Sequence, residues 1–230
     1  MPTYDRLYPF SATMRNNASV GGAQTLQIPI LQVTTGAAGA NRFGQFGESG
    51  QVPMGGVDPY LNVAGTPFWG RLQSAEVLML VDVATNPTAT MRLGVMIGQR
   101  GVPPFAAAIG QQCLAIYARP DNNTWELYCE KGDGTAGGTL VLTAANGPMD
   151  VEAVSGARVY HRLRIDYDPV GLVRAYIDGT LAGIQNDPAF MPDAATGFPI
   201  QMAALFCASG TNAAAVARAC FHRLEASTTL

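Results

Sequence analysis

Apolar and polar residues alternate with a period of two through the second half of the chain. His161, Leu163, Ile165 and Tyr167 interleave with Arg162, Arg164, Asp166 and Asp168, the pattern of a strand with one buried face. Val173, Ala175 and Ile177 continue it, interleaved with Leu172, Arg174, Tyr176 and Asp178. Between the runs lies Asp168-Pro169-Val170-Gly171, where proline presets a turn dihedral and glycine accepts a positive φ. A loop closed by Gly171 sets Ile165 opposite Val173 and Leu163 opposite Ala175. It also sets Arg164 opposite Arg174 and Arg162 opposite Tyr176 on the outward face. Asp178-Gly179 predicts a two-residue type I′ hairpin, and Thr180 to Ile184 returns as a third strand.

The same reading extends outward from this segment. Strands are predicted over Arg71–Ala84, Met91–Ile97, Gln112–Arg119, Thr124–Glu130 and Thr139–Thr143, then Ile200–Ala208 and Ala214–Leu224. Turn signals separate them at Asn86-Pro87-Thr88, Pro103-Pro104, Pro120-Asp121-Asn122, Gly132-Asp133-Gly134 and Asn186-Asp187-Pro188. Regular turns without a convincing amphipathic helix predict an all-β sandwich. Ala213–Ala219 is the one stretch whose alanines suit a helix, but the following Cys220-Phe221-His222-Arg223-Leu224 favours a strand.

Residues 1–65 differ from residues 66–230. They are rich in Gly, Ala, Asn, Gln and Pro, with one candidate strand over Leu26–Val33 that Pro29 confines to an edge. They also carry Tyr4, Tyr8, Phe10, Phe43, Phe46 and Tyr60, more aromatics than a disordered tail holds. The region therefore reads as an extended N-terminal arm lying on its own domain or on a neighbouring chain, with Tyr4, Tyr8, Phe10, Phe43 and Phe46 as its contact residues.

Composition narrows the classes. The 230 residues suffice for a full core without staples. Charged residues make up 13%, against about 25% in an average domain. The net charge of −3 argues against nucleic acid as the main partner. No run is long and apolar enough to predict a membrane span, and the mixed opening Tyr4-Asp5-Arg6-Leu7-Tyr8-Pro9 predicts no signal peptide. Lys131 is the single lysine; an Arg-rich, Lys-poor surface suits burial against other chains. Four cysteines in this length are no disulfide framework. Cys113 and Cys129 flank a hairpin and face each other in one register, yet read as buried free thiols.

The pattern R-x-R-I-D-Y-D…V-R-A-Y-I-D-G-T-L within Arg158–Ile184 resembles the concanavalin A-like lectin/glucanase superfamily, particularly its laminin-G-like jelly rolls. The closing strand, Ala219 to Leu224, is similar too. The resemblance implies a two-sheet jelly roll over residues 66–230. That superfamily includes lectins, glycosidases, adhesion modules and phage virion proteins, so fold alone does not assign function.

Its glucanase branch carries an E-x-D-x-E strand whose carboxylates share one cleft. Here Glu126 and Glu130 flank Tyr128 rather than an Asp, and Asp166 and Asp168 stand beside a turn. All four read as solvated-face or turn residues. His161 falls on an apolar face and reads as a core histidine, His222 lies near the C-terminus, and no G-x-S-x-G elbow exists. No Cys/His spacing suggests zinc. Asp121, Asp133 and Asp187 are loop carboxylates but lack a D-x-D-x-D-G calcium loop. No catalytic residue, metal or cofactor is therefore expected.

Two surfaces remain. Arg162, Arg164, Arg174 and Tyr176 form an outward constellation in which like charges oppose each other, a destabilising arrangement unless compensated. Trp69 and Trp125 are the candidate glycan contacts, each with a core role as the competing reading. The sequence thus favours a structural protein without enzymatic activity, and the resemblance, together with the overall character of the sequence, implies a virion protein. It would be a phage capsid decoration (cement) or tail-associated protein, made in the host cytoplasm, binding the major capsid or tail protein and copies of itself. The alternative is a carbohydrate-binding or adhesion module of a receptor-binding tail protein, and a third option is a glycan lyase or hydrolase with an unusual site.

Overall fold

The structure, a computed structural model, describes residues 3–7, 31–34, 42–49, 72–83, 92–98, 112–135, 137–168, 171–192, 202–209 and 215–227. They form thirteen strands: β1 (Thr3–Leu7), β2 (Leu31–Thr34), β3 (Arg42–Ser49), β4 (Leu72–Val83), β5 (Arg92–Gly98), β6 (Cys113–Arg119), β7 (Thr124–Glu130), β8 (Gly138–Leu142), β9 (Tyr160–Asp168), β10 (Leu172–Ile177), β11 (Thr180–Gln185), β12 (Met202–Ser209) and β13 (Ala215–Ser227). Among the described residues there is no helix. The predicted strands of the second half are present within one or two residues at most ends, and Ala215–Ala219 is strand.

Two sheets result. The first runs β1-β13-β4-β9-β10-β11, with β2 pairing β13 beyond β1; the second runs β3-β12-β5-β6-β7-β8. Every strand pair is antiparallel. This is the all-β two-sheet sandwich that the alternation predicts. Residues 1–65 contribute three strands rather than one: β1 and β2 pair with β13, and β3 pairs with β12. Tyr4 stands opposite Ala226, Phe43 opposite Ala208 and Phe46 opposite Leu205. Tyr8, Phe10 and Trp69 lie outside the described residues.

The core lies between the sheets. Val77, Met79 and Val81 of β4, Leu163 and Ile165 of β9, and Val173, Ala175 and Ile177 of β10 meet Leu93, Val95, Leu114, Ile116, Trp125 and Leu127 of the second sheet. Tyr167 joins them and donates its hydroxyl to the Pro192 carbonyl, 2.8 Å away, tying the 186–192 segment to the core.

The central hairpins show what the period of two does and does not fix. Asp178 and Gly179 have φ of 51° and 79°, the doubly positive pair of a type I′ turn, and Ile177 pairs with Thr180 as that turn requires. The β9–β10 register differs from the sequence expectation by two residues. Ala175 faces Ile165 and Val173 faces Tyr167, so Arg174 faces Asp166 and Tyr176 faces Arg164. A shift of two keeps every side chain on its face, so the apolar pattern is equally satisfied. The opposition of Arg164 and Arg174 is replaced by opposite charges across the ladder.

Cys113 stands opposite Glu130 and Cys129 opposite Leu114. Successive strand residues point to opposite faces, so the two thiols lie on opposite faces of the sheet, and both are free and buried. Burial pushes both thiols up in pKa, which makes them poor nucleophiles. Non-reducing peptide mapping should accordingly find no bond joining Cys113 to Cys129; a linked peptide would contradict the β6–β7 register.

Candidate functional site

Two polar surfaces lie outside the core, one on each sheet. On the first sheet, β9 and β10 present Arg162, Arg164, Asp166, Arg174 and Tyr176 away from the core, because their neighbours Leu163, Ile165, Val173, Ala175 and Ile177 take the inner face. β4 adds Glu76, opposite Arg164. Arg162 Nε lies 2.9 Å from Glu76 Oε1, and Arg164 Nε donates to Asp166 Oδ1 at 2.6 Å. The Arg164 guanidinium sits 5.8 Å from the Tyr176 ring centroid, a cation–π distance. Glu76, Arg162, Arg164, Asp166, Tyr176 and Gly179 together line an open groove of about 220 Å³. The sequence-predicted Arg162, Arg164 and Tyr176 therefore converge on one concavity, while Arg174 stands beside it opposite Asp166.

Asp178, at the tip of the β10–β11 turn, is bonded elsewhere. Its Oδ2 is 2.9 Å from His161 Nδ1, and its Oδ1 accepts the Arg162 backbone N–H at 2.9 Å. It anchors the first residue of the groove and reaches a buried core histidine from the tip of the turn. His161 is fully buried, as the sequence predicts, and its ring meets Trp125 edge-on at 5.3 Å between centroids. Among the described residues its Nε2 has no hydrogen-bond partner.

The second polar surface is the non-core face of β5–β8. Register places Tyr117 opposite Glu126 and Ala115 opposite Tyr128, while Glu130 faces Cys113. Glu126 and Glu130 are 4% and 0% exposed, which corrects the expectation of a solvated face. Glu126 Oε1 accepts from Arg119 Nη1 at 3.1 Å, and Glu130 Oε2 accepts from the Tyr128 hydroxyl at 2.7 Å. The Arg92 guanidinium lies 5.4 Å from the Tyr117 ring centroid. Burial, reinforced by the neighbouring glutamates, drives both tyrosine hydroxyls well above their usual pKa, so they act only as neutral donors or acceptors. Gly94 makes room for this network, since a Cβ there would collide with the Ile116 carbonyl oxygen and the Tyr117 backbone. The alternation E-x-Y-x-E thus does bring two carboxylates to one face of β7, with a tyrosine where the glucanase pattern has an aspartate. Sequence reasoning missed the burial because β6 is apolar on both faces, so no periodicity marks its outer side.

Trp125 is only 1% exposed and its Nε1–H donates to the Asn146 carbonyl at 3.0 Å. Both its apolar surface and its polar handle are used inside the protein, so it offers no face to a sugar. The loop carboxylates are also occupied. Arg119 makes a two-pronged pair with Asp121 at 2.8 and 2.9 Å and holds its carboxyl below the usual range. Asp133 accepts from the Thr135 amide, and Asp187 from the Ala189 amide. Among the described residues no group of three or more His, Cys, Asp or Glu is placed to hold a metal ion.

No family model matches the sequence, and no curated protein is similar to it in sequence. Solved structures are similar in fold. Apo Crh5 transglycosylase superposes with a TM-score of 0.52 at 12% identity, over 97% of this chain and 83% of that one. The same transglycosylase in complex with NAG gives 0.52 at 13% identity, with the same coverage. The binding domain of botulinum neurotoxin DC in complex with rat synaptotagmin II gives 0.50 at 8% identity, over 99% of this chain and 44% of that chain. These likenesses show the fold alone, a two-sheet β-sandwich consistent with the jelly roll that the resemblance in Arg158–Ile184 implies. The expectation of a protein without enzymatic activity is overturned. A sandwich of similar fold carries a transglycosylase, so the fold does not mark the chain as non-enzymatic.

Proposed function

We propose that the protein binds a carbohydrate chain in the groove on the outer face of β4, β9 and β10. One observation supports this above the others: the groove of about 220 Å³ gathers Tyr176, two guanidiniums and two carboxylates beside an open turn at Gly179. Ligand pockets combine an apolar or aromatic floor with a few convergent polar groups that fix orientation. Tyr176 supplies ring surface for sugar C–H groups, and the charged groups supply donors and acceptors for hydroxyls. The ion pairs beneath hold those groups still, which lowers the ordering cost of binding. A sandwich of this fold has also been solved as a transglycosylase in complex with NAG.

The test is binding of the full chain to a panel of immobilised polysaccharides. Tyr176→Ala should weaken the best ligand about tenfold, roughly 1.4 kcal/mol, while the melting temperature changes little because the ring is only half-buried. Binding that survives Tyr176→Ala unchanged, or no binding anywhere on the panel, contradicts the proposal. Turnover of the bound glycan is assayed on the same samples as new reducing ends.

A second reading places this face against another virion subunit, a capsid or tail protein. Leu181 and Ile184 favour it, being 46% and 45% exposed on β11 and paired with Tyr176 and Arg174 on the outer face. Exposed apolar residues on a terminal strand invite a protein partner. Retention on virions that is lost in Leu181→Asp/Ile184→Asp, with glycan binding absent, would select this reading.

A further inference from the structure

We infer that the glycan held in this groove carries anionic groups, carboxylate or sulfate, and that Arg162 is the residue that reads them; the inference rests on the carbohydrate-binding proposal. The basis is the way the groove's charges are layered. Arg162 has 59% of its side chain exposed, whereas the Glu76 side chain paired with it is 10% exposed. The carboxylate is the floor and the guanidinium is the rim. The ion pair runs through Arg162 Nε, and among the described residues the two terminal nitrogens of this largely exposed fork make no contact that would compete with a ligand. A guanidinium presents parallel N–H donors that match a carboxylate or sulfate with two hydrogen bonds. Arg164 repeats the arrangement one cross-strand row along, its Nε spent on the less exposed Asp166 and its face held on Tyr176.

Glu76 does not cancel this preference. Its carboxylate lies 2.9 Å behind the Nε as an ion-pair partner, so a ligand anion meets a guanidinium already held at the groove. Arg162 is itself positioned from the backbone side, where its amide is held by Asp178. A neutral sugar can use the same donors, but each bond would join a cation to a hydroxyl rather than to a second charge. A charged acceptor shortens and strengthens such bonds, and a preference of about tenfold is expected.

The experiment is titration calorimetry of the full chain with oligosaccharides of three kinds: uronic acid-containing, sulfated and neutral. At least one acidic class should bind about tenfold more tightly than the neutral class, and rising salt should weaken it. Arg162→Gln should weaken the acidic class about tenfold and the neutral class by less, so that the advantage disappears. Arg162→Lys, which retains the charge and can still pair with Glu76, should recover only part of it because the two-pronged geometry is lost. The comparison of uronate with sulfate assigns the anion. Equal binding of neutral and acidic sugars, or Arg162→Gln without effect on the acidic class, overturns the inference and leaves the carbohydrate proposal standing. Absence of binding in all three classes overturns both.

Discussion

Trp125→Ala should destabilise the fold by about 3–5 kcal/mol, the range for truncating a fully buried large aromatic, and lower the melting temperature by roughly 10 °C for a chain of this size. Trp125 is among the largest fully buried side chains, and three separate interactions go with it. Its ring fills the space between Leu142 across the β7–β8 ladder and His161 across the sandwich. Its indole N–H satisfies the Asn146 carbonyl, and removal leaves that acceptor without its donor. Glycan affinity of the folded fraction should stay within twofold of wild type, because the ring contacts nothing outside the core. A thermal melt with parallel binding checks both halves. Loss of binding with an unchanged melt would place the ring at the ligand site and refute its core role.

The Asp178 turn should respond to chemistry rather than to size. Asp178→Ala removes two hydrogen bonds, to His161 Nδ1 and to the Arg162 amide, and puts a methyl side chain on a residue with φ of 51°. Leaving a buried imidazole nitrogen unpaired costs about 1–3 kcal/mol, and the left-handed conformation adds about 1 kcal/mol. A loss of roughly 2–4 kcal/mol is therefore expected. Asp178→Asn should cost less, about 1–2 kcal/mol, since asparagine tolerates the left-handed region and its carbonyl still accepts from Arg162, while its NH2 can reach His161 Nδ1 only if the ring proton moves to the unpartnered Nε2. Chemical denaturation of the pair gives the comparison. Equal losses for the two variants would mean that the carboxylate charge, not the hydrogen-bond geometry, holds the turn.

Much of the fold was legible because β9 and β10 each bury one face. The Leu163/Ile165 and Val173/Ala175/Ile177 alternations fix which residues face inward, and Asp178-Gly179 fixes one turn. The β9–β10 register was not legible, since a slip of two preserves that alternation. The true pairing set Arg174 against Asp166 and removed the charge conflict that the slipped pairing implied. β2 overlaps the end of the Leu26–Val33 strand that the sequence predicts, but β1 and β3 were hidden for a different reason. The β3 segment Arg42-Phe43-Gly44-Gln45-Phe46-Gly47 carries two glycines, which weaken a strand signal, and its place is set by pairing with β12, far along the chain. The outer groove was half visible: its arginines and Tyr176 follow from alternation, but Glu76 comes from β4 and reaches them only by tertiary pairing. The buried Glu126–Tyr128–Glu130 face was invisible, because charge on alternate residues normally marks a solvated side.

Glycan binding in the β4–β9–β10 groove is the proposal from which the other binding predictions follow. Amide chemical-shift mapping during titration with the best-binding oligosaccharide tests it most directly. The largest perturbations should cluster at Glu76, Arg162, Arg164, Tyr176 and Gly179. Perturbations centred on Glu126, Tyr128 and Glu130 of β7 would place the ligand on the other sheet and contradict it.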